Sequence, residues 1–285
     1  MTPSPVIFGA FDRHNLGDIL LAHVAVAEVG GDDTAFAGLA KRDLTSWGGQ
    51  RVVALGSFTT PVTLIHIGGE LFDCDAAQAT YMLGESVMRW GRAALYVVGK
   101  HSLPPGSRVE FHAVGGVGLA ARDTAFREEV FAALREADVL TVRDRVTQAQ
   151  LAAAGIAAPL VPDPVTRLAE LFGERIHTRL RPRADYLAIQ FAAECGDDAT
   201  LATFAEGLER IGLPVVVFRA GAAPWHDDLE PYRQIAGRLD LPVEIFESLD
   251  VWDICALIAA SRGCIGCIGP ACTRASLPRL SACRP

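Results

Sequence analysis

Short apolar runs alternate with segments of helical period along nearly the whole chain, and this alternation constrains the fold most strongly. Residues 6–9 are strand-like, and residues 18–29 then carry apolar side chains at helical spacing. The other predicted strands are residues 63–67, 109–114, 138–142, 158–161, 186–191, 214–218 and 243–246. The other predicted helices are residues 76–90, 123–137, 146–154, 199–211, 229–239 and 252–260, and Asp123 is the predicted N-cap of the second of these. Such alternation predicts an α/β fold with mainly parallel, doubly wound sheets.

A basic stretch from Arg175 to Arg183 interrupts this apolar rhythm, and its four arginines are expected to form a solvated linker. The sequence therefore predicts two Rossmann-like halves, the second incomplete. The predicted domains are residues 1–178 and 179–269, followed by an irregular tail over residues 270–285. A ligand would lie in the cleft between the halves, at the carboxyl ends of the strands.

Composition argues against several classes of partner. The net charge of -8 makes nucleic acid an unfavourable partner. The apolar runs are too short to span a bilayer, and the N-terminus lacks the pattern of a secretory signal, so a cytoplasmic location is expected. The seven cysteines are predicted to be reduced, buried thiols. The Cys264-Ile265-Gly266-Cys267 segment predicts neither a metal nor a redox site, and no cofactor is expected.

The loop after the first strand is predicted to bind a small anion. Gly9 ends the strand, and Asn15-Leu16-Gly17-Asp18 opens the following helix. A helix start presents unpaired backbone N–H groups and the positive end of the helix dipole, and Gly17 would let a ligand approach them. The alternative is that Asn15 or Asp18 simply caps the helix. The loop does not match the glycine pattern of nicotinamide-binding proteins.

Three further strand ends carry candidate residues. Gly68-Gly69 permits close backbone approach to a ligand, with a plain tight turn as the alternative. Arg143 is suited to a phosphate or carboxylate, and Asp144 would orient it or cap the next helix; a structural ion pair is the alternative. Asp163, between two prolines, is directed at the same edge. His66, inside a strand, is expected to be a core histidine.

The order of these motifs resembles the polysaccharide pyruvyl transferase family, and the resemblance extends to residues 254–261 and Gly263-Cys264-Ile265-Gly266. It implies a fold like that of the B-type glycosyltransferases. It also implies transfer of the pyruvyl group of phosphoenolpyruvate, as a ketal, to a saccharide that is free or linked to a nucleotide or lipid. The implied catalytic residues are Asp18, Arg143 and Asp163, and the implied ligand-binding residues are Gly9, Asn15, Gly17, Gly68, Gly69 and Asp144. Glu70 departs from the family pattern, which has a third glycine there.

The C-terminal tail departs further from that family. The resemblance implies a Ser-Leu-His segment after Gly266, with the histidine in acid catalysis, but the tail contains no histidine. Codons permitted for residues 270–274 spell Ser-Leu-His-Ala in another reading frame. We therefore hypothesise an out-of-frame tail from about Pro270, which would leave this chain inactive. The alternative functions are a glycosyltransferase that uses a nucleotide sugar and an inactive fragment or binding module.

Overall fold

The computed structural model describes residues 3–29, 34–83, 91–190, 198–224 and 229–266. The chain divides into two compact units, Met1–Leu168 and Ala169–Pro285. The finer domain limits stay a prediction. The tail of residues 270–285 lies outside the described residues, so the frameshift hypothesis also stays a prediction.

The first unit is built on a seven-stranded sheet whose order is β3-β4-β2-β1-β5-β6-β7. All neighbouring strands are parallel except β3 and β4, which are antiparallel. The strands are β1 (Ser4–Phe8), β2 (Ala35–Gly38), β3 (Arg42–Asp43), β4 (Arg51–Ala54), β5 (Val62–Ile67), β6 (Arg108–Val114) and β7 (Val139–Val142).

Helices α1 (Leu16–Val29), α2 (Ala76–Leu83), α3 (Thr124–Arg135) and α4 (Arg145–Ala153) belong to this unit. The carboxylates of Asp123 and Asp144 accept hydrogen bonds from backbone N–H groups in the first turns of α3 and α4, so both are N-caps. The cap predicted at Asp123 is therefore confirmed. Residues 84–90 of the helix predicted over 76–90 lie outside the described residues.

The centre of the sheet is buried on both faces. All six residues of β5 are buried. Leu64 and Phe111 join the larger hydrophobic core, whereas Ile7 and Ile67 pack with Leu21 of α1 in a separate cluster. Strands covered on both faces are continuously apolar, which is why β5 was recognisable in the sequence.

The second unit contains a four-stranded parallel sheet with the order β10-β9-β8-β11. Its strands are β8 (Leu187–Gln190), β9 (Val215–Phe218), β10 (Val243–Phe246) and β11 (Gly263–Gly266). Helix α5 (Leu168–His177) begins at the unit boundary, and α6 (Asp198–Ile211), α7 (Glu230–Ala236) and α8 (Val251–Ala260) follow. Two mainly parallel sheets with intervening helices confirm the predicted α/β, doubly wound fold class.

The strand predicted over residues 158–161 is wrong. Only Leu160 forms a bridge, to Val142. Pro159 and Pro162 flank that bridge, and because proline has no N–H to donate, a longer ladder is disfavoured here.

The solvated linker predicted over the four arginines is also wrong in part. Helix α5 continues through Arg175 to His177, and the Arg175 guanidinium lies 4.0 Å from the ring centre of the buried Trp252. Arg179 pairs with Asp250 at 3.1 Å and Asp253 at 2.7 Å. These arginines are therefore used in packing within the second unit.

The expectation of buried thiols holds for Cys74 and Cys255, but Cys264 is exposed. Cys264 lies in β11, which pairs with β8 along one side. Cys195, Cys267, Cys272 and Cys283 lie outside the described residues. Among the helices that the structure describes, none is long and apolar enough to cross a membrane.

Candidate functional site

The sequence motifs of the first unit meet at the carboxyl edge of its sheet. Strand β1 is central, with β2 on one side and β5 on the other. The chain leaves β1 toward β2 and later returns to pair β5 with the opposite side of β1. The loops after β1 and β5 therefore diverge, which creates the crevice where α/β sheets bind ligands. In the second sheet the same change of direction lies between β8 and β11, whose following loops fall outside the described residues.

Asp12 fixes the loop that follows β1. Its carboxylate is fully buried and accepts hydrogen bonds from the N–H groups of Leu39 at 2.6 Å and Ala40 at 3.1 Å. The Tyr96 hydroxyl donates a third, at 3.0 Å. Gly38 is needed beside it, because a Cβ there would lie 2.7 Å from Oδ2 of Asp12. Asp12 thus ties the loop after β1 to the loop after β2.

Arg13 lies in the same loop with its side chain 11% exposed. Nη1 donates to the Tyr96 hydroxyl at 2.8 Å, and Nη2 lies 3.7 Å from Oδ2 of Asp18. Its Nε is buried and has no hydrogen-bond partner among the described residues. Burial lowers the pKa of Arg13, but Tyr96, Asp18, Cys74 and Asp12 outweigh it, so the pKa is raised and the guanidinium stays charged.

The start of α1 distinguishes the roles of Asn15 and Asp18. Oδ1 of Asn15 accepts a hydrogen bond from the Asp18 N–H at 3.2 Å, so Asn15 acts as the cap. Gly17 is exposed at the first turn. Gly9, by contrast, is buried, and a Cβ there would lie 2.7 Å from the Phe11 ring, so packing already requires a glycine.

The Gly68-Gly69 pair makes the backbone turn after β5, and its role in ligand binding stays a prediction. Both glycines have positive φ, 53° and 71°. The Gly68 N–H donates to the His112 carbonyl, and the Gly69 carbonyl accepts from the Gly115 N–H. A Cβ on Gly69 would lie 3.8 Å from Oδ1 of Asp18, so the turn adjoins the start of α1.

Arg143 is held between two carboxylates. Its Nη1 donates to Asp163 at 2.7 Å, and its Nη2 donates to Glu70 in a short contact. Glu70 also accepts from the Val117 N–H at 3.0 Å. Burial lowers the pKa of Arg143, but Glu70 and Asp163 outweigh it, and the pKa is raised. The structure therefore shows the ion pair that was the alternative for Arg143, and Glu70, where the family has glycine, supplies half of it.

Asp144 and Asp163 each accept a hydrogen bond from a nearby backbone N–H group. Asp144 accepts from the N–H and hydroxyl of Thr147 in α4. Asp163 accepts from the Val165 N–H while it binds Arg143. Both side chains are thus engaged in the fold, and their binding and catalytic roles stay predictions.

Asp18 differs from the other carboxylates at this edge. Its side chain is 16% exposed, and it faces Arg13 at 3.7 Å, beyond hydrogen-bond range. Burial raises the pKa of Asp18 above its ordinary value, although Arg13 and Arg143 act in the opposite direction. A carboxyl group whose pKa is raised in this way is a candidate for proton transfer.

Sequence reasoning missed Asp12, Arg13 and Tyr96, and it noted Glu70 only as a departure from the family pattern. A signal existed for Asp12 and Arg13, because two adjacent charged residues interrupt an otherwise apolar loop start. Tyr96 gave no such signal, since it lies 84 positions from the aspartate that it binds.

Comparisons with known proteins place the chain in a fold. No protein-family model and no curated protein sequence matches it significantly. Among solved structures, it is similar to UDP-GlcNAc 2-epimerase from Methanocaldococcus jannaschii, with a TM-score of 0.53 and 12% identity over 93% of this chain and 78% of that one. It is also similar to UDP-GlcNAc 2-epimerase from Neisseria meningitidis bound to UDP-GlcNAc, with a TM-score of 0.52 and 9% identity over 93% and 77% of the two chains. At this identity the likeness shows the fold, which is GT-B-like.

Proposed function

We propose that the protein is a pyruvyl-transferase-like enzyme that takes phosphoenolpyruvate as donor and a saccharide as acceptor. One observation carries the proposal. The loop after β1, the glycine pair after β5 and Arg143 after β7 stand in the order of the family motifs, and they converge around Asp18 at one sheet edge. Ligands bind at such edges in α/β proteins.

The proposed reaction needs a group that handles one proton. A first acceptor hydroxyl adds to C2 of phosphoenolpyruvate while C3 takes up a proton and becomes a methyl group. Phosphate then leaves with a proton, and a second hydroxyl adds at C2 to close the ketal. The two hydroxyl protons balance those taken up by C3 and by phosphate. Asp18 would take the proton of the first hydroxyl and pass it to C3, and burial, which raises the pKa of Asp18, favours its protonated form.

The anionic groups of the donor would lie at the start of α1. Backbone N–H groups and the helix dipole favour an anion there, and Gly17 is exposed. The guanidinium of Arg13 lies near this position, because its Nη2 is 3.7 Å from Oδ2 of Asp18 without a hydrogen bond between them. Arg143 is already paired with Glu70 and Asp163, so we assign it to shaping the site rather than to binding the donor.

A second candidate is an enzyme that acts on a nucleotide sugar. The solved structure of similar fold with bound UDP-GlcNAc favours it. The two candidates differ in the expected ligand, which is phosphoenolpyruvate for the first and a nucleotide sugar for the second. If the tail is out of frame, we expect this chain to bind the donor without turnover, so binding is the decisive test.

Titration calorimetry with phosphoenolpyruvate, inorganic phosphate and UDP-GlcNAc separates the candidates. We expect saturable binding of phosphoenolpyruvate that is at least about tenfold tighter than that of phosphate, a difference of about 1.4 kcal/mol. Arg13→Gln should weaken it, because a cation beside the anion is lost, whereas Arg51→Gln, at an 80% exposed side chain, should not. Saturable binding of UDP-GlcNAc without binding of phosphoenolpyruvate would overturn the proposal in favour of the second candidate.

A further inference from the structure

The Tyr96 hydroxyl lies between two oppositely charged groups of the loop after β1. It donates to Oδ1 of Asp12 at 3.0 Å and accepts from Nη1 of Arg13 at 2.8 Å. Those two charged atoms are themselves 4.0 Å apart. The hydroxyl therefore occupies the place of a direct hydrogen bond between Asp12 and Arg13.

We propose that Tyr96 is a positioning residue whose hydroxyl keeps Arg13 away from Asp12 and beside Asp18. The proposal rests on the proposed function, in which Asp18 transfers the proton. Without the hydroxyl, Asp12 would lose one donor in a site from which water is excluded, and the nearest cation would move to replace it. Arg13 would then withdraw from Asp18.

Burial makes Tyr96 suited to this role. The ring is fully buried, and the guanidinium of Arg13 lies 5.4 Å from its centre. Burial also raises the pKa of Tyr96 well above its ordinary value, so the hydroxyl keeps its proton and continues to donate to Asp12. The direction of both hydrogen bonds is thereby fixed: the proton points to Asp12, and the lone pair points to Arg13.

The groups that face Asp18 come from several elements. Arg13 and Asp12 approach from the loop after β1, Arg143 approaches from the end of β7, and Cys74 lies beyond β5. Burial raises the pKa of Cys74 to about 12, so its thiol is neutral at physiological pH. Arg143 is fixed by its own carboxylates, which leaves Arg13 as the cation whose position Tyr96 controls.

The test is a pH titration of the Asp18 carboxyl carbon by ¹³C NMR on the ligand-free full chain, with Asp18→Asn to assign the signal. In Tyr96→Phe we expect the midpoint for Asp18 to rise by at least about 0.5 pH unit, because a charge at this distance contributes about 1 kcal/mol even in water. Tyr81→Phe is the matched control, since Tyr81 is 54% exposed on α2, and it should leave the midpoint unchanged.

Arg13→Lys keeps the experiment decisive if Tyr96→Phe fails to fold. Lysine has one nitrogen where Arg13 has two, Nη1 on Tyr96 and Nη2 facing Asp18, so an ammonium bonded to Tyr96 lies farther from Asp18 and the midpoint should rise here as well. An unchanged midpoint in a folded Tyr96→Phe or Arg13→Lys chain would overturn the proposal. The titration uses no ligand, so its outcome is independent of whether phosphoenolpyruvate binds.

Discussion

Nη2 of Arg13 lies 3.7 Å from Oδ2 of Asp18, so a buried cation faces a buried carboxylate without a hydrogen bond between them. Arg13 is held back by the Tyr96 hydroxyl, and Asp18 is held at the start of α1, where Asn15 accepts its N–H. This separation leaves the Asp18 carboxylate available to a ligand. The other acidic side chains at this edge are already bonded within the fold.

Replacing Arg143 should destabilise the first unit. Arg143→Gln leaves Glu70 and Asp163 without their shared cation, and both are largely buried. We expect a loss of about 3 kcal/mol in the free energy of unfolding, measured by urea denaturation. Arg51→Gln, which breaks an exposed pair with Asp43, should cost less than about 1 kcal/mol. Equal losses of stability for the two substitutions would show that the pairing of Arg143 with Glu70 and Asp163 does not stabilise the first unit.

Gly68→Ala should destabilise the chain for two reasons. Gly68 has a φ of 53°, and a Cβ there would lie 2.7 Å from the Leu21 side chain. We expect a loss of about 2 kcal/mol, measured as a shift of the denaturation midpoint.

Gly173→Ala is the matched control for that substitution. Gly173 lies within α5, and a Cβ there would meet nothing within 4 Å. Alanine should stabilise the helix by about 0.5 to 1 kcal/mol. If Gly68→Ala were as well tolerated as Gly173→Ala, the positive φ and the close Leu21 contact at Gly68 would be contradicted.

His66 should remain neutral well below pH 6. Its Nε2 accepts from the Val98 N–H at 3.2 Å, so Nδ1 carries the proton toward the Glu110 carbonyl. Burial lowers the pKa of His66 from 6.5 to about 3. Its contribution to stability is therefore complete above pH 6.5 and is lost as the pH falls toward 3.

Long-range ¹⁵N NMR at pH 5 measures this directly. The expected pattern is a neutral ring protonated at Nδ1, with the exposed His101 as an internal reference. An imidazolium pattern for His66 at that pH would contradict the core role predicted from the sequence.

Asp73 should make stability fall as the pH rises. Burial, followed by the charge of Glu70, raises the pKa of Asp73 from 3.8 to about 6. Because folding raises the pKa of this carboxyl group, Asp73 stabilises the folded state below pH 3.8, and this contribution is lost as the pH rises through 6. Asp73→Asn should therefore gain about 2 kcal/mol relative to the wild type between pH 4 and pH 7. Parallel stability curves for the two proteins over that range would refute this.

The sequence predicted the parts of the fold that depend on local pattern. The alternating strands and helices, apart from the strand over residues 158–161, follow from short segments and are present in the structure, as are the Asp123 cap and the core position of His66. Strands β2, β3, β4 and β11 were missed because they contain alanine, glycine or charged residues and no run of three large apolar side chains, unlike β9, which also has four residues.

The partners within the candidate site were harder to predict, because they depend on contacts between distant segments. Whether Arg143 is paired depends on Glu70, 73 positions away in the sequence. Glu70 was identified only as a departure from the family pattern, and that departure is what supplies the ion pair. Likewise, Arg13 obtains its role from Tyr96, 83 positions away.

In the proposed function, an anionic donor binds at the edge of the first sheet where β1 and β5 diverge. The most direct measurement is the change in backbone ¹H–¹⁵N NMR signals of the full chain when phosphoenolpyruvate is added. We expect saturable shifts centred on Gly17, Asp18, Gly68 and Gly69, and weaker binding in Arg13→Gln. Saturable shifts confined to other parts of the chain, or no shifts at millimolar phosphoenolpyruvate, would contradict it.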